Sequence, residues 1–150
     1  MKTFRVMAMV LVLAFGLCGC GKTDIKACED VVNNLQQAVY SADVNLFQKT
    51  YIPCYYKEIE ESFSSEESMR QAFVREMASI KIQMEFLDAT EIDLEEGYSR
   101  LDSEVMDNHK DEIDKIYIAR VRIQEKTYES IMEIPIVKIG RKWYWANRFL

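Results

Sequence analysis

Apolar and polar residues follow three rhythms along this chain. Residues 6–17 form an unbroken run without a charge. Over residues 26–41, Cys28, Val31, Leu35, Ala38 or Val39 recur at helical spacing, with Ala42 one step further. Asn33, Asn34, Gln36 and Gln37 fall mostly on the wet side, which predicts an amphipathic helix. Asp43 reads as the N-cap of a second, short helix over residues 44–51, where Phe47 and Tyr51 lie four apart on one face. Pro53 helps to end it, and residues 54–63 read as a connector with some helical tendency. Ser64 and Glu67 have capping-box spacing and open a third helix, striped by Met69, Ala72, Phe73 and Met77.

The period then changes to two. Ile80, Ile82, Met84 and Phe86 alternate with Lys81, Gln83 and Glu85, and Ile92 and Leu94 keep that parity beyond Asp88 and Thr90, which predicts a long strand buried on one face. A helix continued through residues 69–87 competes, because Met77, Ile80, Met84 and Leu87 also fit its spacing. Gly97 breaks the chain. The polar residues 101–113, with Leu101, Val105 and Ile113 on one side, suggest a surface helix. A second strand follows over residues 116–123, with Tyr117, Ala119, Val121 and Ile123 on one face and Arg120 and Arg122 on the other. A turn near Lys126 leads to a third strand over residues 128–139. Gly140-Arg141 fits a two-residue hairpin with glycine where φ is positive, and the last strand covers residues 142–149. Helices first and a mostly antiparallel four-stranded sheet afterwards define an α+β fold.

The apolar leader changes the picture of where such a domain works. Lys2 and Arg5 precede it, and Leu17-Cys18-Gly19-Cys20 follows it. A basic start, an apolar run of about 7–15 residues and a small residue before the cut are the requirements for export. The run is shorter than the roughly 20 residues a membrane-spanning helix needs. This segment resembles a bacterial lipoprotein signal peptide ending in a lipobox. Leu17 and Gly19 fit that pattern, while Cys18 stands where alanine, serine or threonine is usual. The resemblance implies cleavage after residue 19 and lipidation of Cys20, hence a protein held by lipid on the extracytoplasmic face of the cell membrane. A diacylglyceryl group holds a protein stably where one acyl chain does not. Residues 20–26 then read as a short polar tether of at most about 20 Å, and residues 27–150 as one domain.

Charge narrows the partners. Without Lys2 and Arg5 the chain carries 17 basic against 25 acidic side chains, or −8. That excludes nucleic acid as a natural partner and leaves membrane contact to the lipid. Cys28 and Cys54 are the remaining cysteines of the mature chain. In an oxidising compartment they can form a disulfide, or else be two small buried apolar groups. His109, the single histidine, matches no zinc spacing and reads as a solvated surface residue. No metal or cofactor is expected.

The closing run Ile136-Val137-Lys138-Ile139-Gly140-Arg141-Lys142-Trp143-Tyr144, after paired helices and an antiparallel sheet, resembles the final hairpin of small bacterial lipoproteins of the cystatin-like or nuclear transport factor 2-like superfamily. Arg141 shifts the glycine by one position relative to the lysine. The resemblance implies a cone-shaped sheet wrapped around a helix, a scaffold that hosts enzymes, binders and interaction modules alike.

Inside such a cone, Trp143 and Trp145 share one face by alternation; they read as core filling, with a ligand wall as the alternative, and Tyr51 either rims the same opening as pocket lining or covers the helix ends. Asp88 reads as a bulge or edge residue, and Glu133 has no clear partner. No Ser-His-Asp set, phosphate loop or paired-carboxylate motif is present. The reading is therefore a non-enzymatic binding or interaction module whose partner is an envelope protein or a small apolar ligand. Two alternatives stand beside it. One is an isomerase-, dehydratase- or hydrolase-like enzyme with an acid or base inside the cone. The other is a self-associating module that forms a homodimer through its open sheet face.

Overall fold

The computed structural model describes the backbone of residues 2–148 and the side chains of residues 21–148. Residues 1–19, expected to be a signal peptide, Cys20 and the last expected strand residue, Phe149, lie outside the described side chains. Helix α1 (Lys2–Ser41) is followed by three shorter helices, α2 (Val44–Thr50), α3 (Pro53–Glu61) and α4 (Glu66–Ser79). Strand β1 (Ile82–Ile92) leads through two short helices, α5 (Leu94–Tyr98) and α6 (Ser103–His109), and a 3-10 turn (Lys110–Glu112) to β2 (Ile113–Glu125), β3 (Tyr128–Ile139) and β4 (Lys142–Trp145). The strands form an open antiparallel sheet in the order β1-β2-β3-β4. The fold is α+β, with helices packed on this sheet.

Residues 21–26, read as an extended tether, continue α1. Nothing in Gly21-Lys22-Thr23-Asp24-Ile25-Lys26 forces a break, and Lys26 pairs at 3.0 Å with both Glu29 and Asp30 one turn ahead. α1 ends at Ala42, whose φ is 51°, with the Asp43 amide bonding to the Ala38 carbonyl at 2.9 Å, a Schellman closure. Asp43 caps α2 as expected, accepting from the Asn45 and Leu46 amides. The connector at residues 54–63 is instead helix α3, and Pro53 is its first residue, where a missing N–H costs nothing. The capping box of α4 is one residue later than expected. Ser65 caps it and exchanges bonds with Ser68, whose hydroxyl occupies the place expected for Glu67.

Strand β1 is a strand throughout, and the competing helix stops at Ser79. Its register slips between Phe86 and Asp88, so the buried parity changes from Ile82 and Met84 to Ala89 rather than running on evenly to Leu94. Leu94 belongs to α5, capped by Asp93. Gly97 does not break the chain; it is buried in α5 against Ile116 of β2. That contact explains why Ile116 is buried although Tyr117, Ala119 and Val121 fill the opposite, inner face. Gly140, with φ 60°, opens the β3–β4 hairpin as expected.

The core lies between α1 and the inner face of the sheet. Val32, Leu35 and Val39 of α1 meet Ala119, Val121, Ile134, Ile136 and Trp145, all but closed to solvent. Gln36 pins the far end of α1 to β1, donating to the Ile82 carbonyl at 3.2 Å and accepting from the Met84 amide. The outer face of the sheet carries ion pairs: Arg122 with Glu85 and Glu129 and Arg120 with Asp88 across strands, and Arg100, from the turn after α5, with Glu133. Asp88 is thus a paired surface residue beside the bulge, and Glu133 has a partner.

Candidate functional site

The three residues expected to line a pocket do not converge on one. Tyr51 and Trp145 are 3% and 2% exposed and are joined by a β-bridge, with the Ile52 amide bonding to the Trp145 carbonyl at 3.1 Å. Tyr51 sits in a line of rings, 4.8 Å from Phe47 and 5.5 Å from Tyr55. Trp143 packs edge-on against Tyr117 at 5.5 Å under the Lys138 ammonium. It borders a wide groove of about 790 Å³ with Gln48, Lys49, Tyr56, Lys57 and Lys142. The centre of the sheet's inner face is thus filled by the protein's own side chains.

Concave apolar surface occurs elsewhere. Helices α2, α3 and α4 enclose a cleft of about 180 Å³ lined by Phe47, Ile59, Phe63, Met69, Phe73 and Met77. The Phe47 and Phe73 rings meet at 5.0 Å, tilted by 57°, and the Tyr56 hydroxyl donates to the Met69 sulfur, 3.8 Å away. Only Met69 of α4 is fully buried, so this helix is the least anchored wall. A second hollow, of about 230 Å³, lies where β4 ends. Ile82, Ile123, Tyr128, Met132, Ile134 and Trp145 border it, with Glu125 and Arg148 also on its lining. The volumes suit one apolar side chain or a short alkyl or aromatic group rather than a cofactor.

Two polar clusters flank the core. At one end Asp24, 7% exposed, accepts from the Lys115 ammonium at 2.6 Å, and Lys115 also faces Glu91 at 3.6 Å. The Tyr117 hydroxyl donates to Glu91 at 2.8 Å. Burial, then this bond to a carboxylate, raises the Tyr117 pKa. At the other, Asp102 caps α6 through the Val105 amide at 3.0 Å and accepts from the Tyr55 hydroxyl. Arg148 reaches Asp102 at 3.4 Å and Glu58 at 2.8 Å, and its guanidinium lies 4.6 Å over the Tyr55 ring. Burial alone would raise Asp102, but the bonds from Tyr55 and Val105 and the Arg148 charge outweigh it and hold its carboxyl below the ordinary range. Tyr55 is pushed up by burial and by its carboxylate partner. Each acid is held by a cation or donor, which makes both clusters structural clamps rather than proton donors waiting for a substrate.

The remaining expected residues fall as follows. Cys28 and Cys54 are free, buried thiols. No bridge joins them, because Cys28 lies beside Asp24 and Tyr117 under the sheet, whereas Cys54 lies beside Asp102 and Glu104. Burial pushes Cys28 up to about 12 and Cys54 up to about 11. His109 is not solvated; its side chain is 13% exposed, with Nδ1 3.5 Å from Glu112. Among the described residues no cluster of three or more metal-ligating side chains occurs, and no helix is long and apolar enough to cross a membrane. The clamp at Asp24 had a sequence signal: the α1 stripe, carried one turn back from Cys28, lands on it. The Tyr55–Asp102–Arg148 clamp joins residues too far apart in sequence to leave one.

Fold and clefts together define an α+β domain with small apolar recesses. No protein-family model matches the chain, no curated protein matches it, and no solved structure matches it.

Proposed function

We propose that this protein is a lipid-anchored lipoprotein of the extracytoplasmic face of a bacterial cell membrane, a non-enzymatic module that binds another envelope component. The anchor is the lipid on Cys20, and the bound group is an apolar part of a protein or a small apolar molecule. The observation that carries the binding reading is the packing of the sheet's inner face by Leu35, Val121, Ile134, Ile136 and Trp145. An enzyme of the kind the scaffold hosts needs a buried acid or base facing a substrate there; the centre of that face is packed, and the acid that lines the hollow beyond β4, Glu125, is exposed. The small apolar recesses left for recognition are the α2–α4 cleft and the hollow beyond β4, beside the wider groove at Trp143. The arrangement of helices on an open antiparallel sheet is also what the cystatin-like or nuclear transport factor 2-like resemblance implies.

The ion pairs across the outer face weigh against a homodimer through it, because docking there would strip water from Arg120, Arg122 and their partners. The test is mass spectrometry of the chain purified from bacterial membranes. A diacylglyceryl group on an amino-terminal Cys20, lost with release from the membrane in Cys20→Ser, is the expected result. A mature chain that starts elsewhere, or carries no fatty chains, overturns the anchoring. Crosslinking in intact cells then reads the bound component, and catalytic turnover by the purified chain would overturn the binding reading.

A further inference from the structure

The two outer strands of the meander differ in length, and the difference leaves recognition chemistry exposed. β3 has 12 residues and β4 only 4, which pair with residues 136–139. Residues 128–134 therefore have β2 on one side and, among the described residues, no strand on the other. The Ala146 amide bonds to the Pro135 carbonyl at 3.0 Å, which fixes that carbonyl on the β4 side. Backbone groups alternate along a regular strand, so the N–H and C=O of Glu129, Ile131 and Glu133 face the open lane while those of Ser130 and Met132 serve β2. Natural edges are blunted with lysine, bulges or proline. This one has Pro135 only at its end, no lysine within it, and exposed Tyr128, Ile131 and Met132.

The hollow of about 230 Å³ lies beside the same lane, on the inner side of Tyr128, Met132 and Ile134. On the outer side stand Glu129 and Glu133, each with more than half its side chain exposed. We propose that this edge binds an extended segment of a partner protein as a fifth strand, with apolar residues toward the hollow and basic residues four apart toward Glu129 and Glu133. This proposal rests on the binding and anchoring readings above. Antiparallel pairing with a second copy is disfavoured by them. α1 runs from Asp24 beside Glu91 to Gln36 beside Met84, so the amino-terminal end of the helix lies at one end of the strands. Two copies joined antiparallel by this edge would point their anchors at opposite ends of the combined sheet.

The test uses the full chain in detergent with the peptide Thr-Lys-Val-Thr-Val-Lys-Thr, and amide hydrogen exchange as readout. Binding should slow exchange at Glu129, Ile131 and Glu133 at least tenfold and leave Ser130 and Met132 unchanged. The same peptide with glutamate for lysine, or N-methylated on its edge-facing amides, should bind at least tenfold more weakly. Ile131→Pro removes an N–H that the ladder does not use; it should keep the fold and weaken the peptide at least tenfold. No binding at millimolar peptide, binding that leaves these three amides unprotected, or their protection by a concentration-dependent dimer without peptide would each overturn the proposal. Lipid on Cys20 and capture of an envelope component elsewhere on the domain would survive such a failure.

Discussion

Gly97→Ala separates the sequence's account of this fold from the structure's. In an exposed helix, alanine for glycine gains about 1 kcal/mol. In α5 the new Cβ would stand 2.4 Å from Ile116 Cδ1, 3.0 Å from its Cβ and 3.1 Å from its Cγ2. Carbon atoms rest at about 3.5–4.0 Å. Rotation about the last side-chain bond can move Cδ1 aside. The Cβ and Cγ2 atoms belong to a β-branched residue in a central strand and move only with the backbone of β2. Overpacking of this kind costs about 1–3 kcal/mol, so the variant should gain nothing and lose a net of up to about 2 kcal/mol. Ile116→Val removes the nearest atom. In that background the cost of Gly97→Ala should fall by about 1 kcal/mol, the coupling expected of two touching residues. Urea unfolding, followed by the fluorescence of Trp143 and Trp145, measures each corner of the cycle through its midpoint at constant slope. A Gly97→Ala protein more stable by about 1 kcal/mol, or an equal penalty in both backgrounds, would refute the contact.

Three further outcomes follow from particular side chains. Ala42→Gly relieves a non-glycine residue held at φ 51° and should stabilise the protein by about 1 kcal/mol in the same assay. Asp102 has a folded pKa below its unfolded value of about 3.9, so its contribution is present above that pH and is lost as pH falls through the folded value. Asp102→Asn should therefore flatten the decline in stability below about pH 4, read as the melting temperature against pH. Cys28 and Cys54, raised to about 12 and about 11, should alkylate with iodoacetamide at pH 8.5 at least about a hundredfold more slowly in the folded protein than in urea.

Periodicity made the helices before the sheet, the four strands and the Gly140 hairpin legible, because one-sided burial writes itself into spacing. What escaped were features that depend on distant neighbours. The slip at Leu87 moves the buried parity of β1 without any local signal, since leucine suits either face. Gly97 looks like a breaker in the chain but serves as a flat surface for Ile116, a contact invisible until α5 folds onto β2. The aromatic run at Trp143-Tyr144-Trp145 suggested a ligand wall. The structure splits the run: Trp145 is buried in the core beside the hollow beyond β4, and Trp143 borders the groove with Lys142. The hollow beyond β4 depends on how early β4 stops relative to β3, and the alternation of the last strand continues through residues that do not pair.

The helical course of residues 21–26 also alters what anchoring at Cys20 would mean. As an extended tether these six residues reach about 20 Å and allow the domain to swivel. As part of α1 they rise about 9 Å, and Asp24 is clamped to Lys115 of β2 within one turn of Cys20. A lipid attached there would transmit orientation as well as position. The strands would stand with the Glu91 end of β1 toward the bilayer and the β2–β3 turn away from it, so the open edge at residues 128–134 would face partners beyond the lipid surface. Lys115→Met would leave Asp24 buried without its cation and loosen that first turn. A module that works by orientation would then keep its lipid and its core and lose its partner.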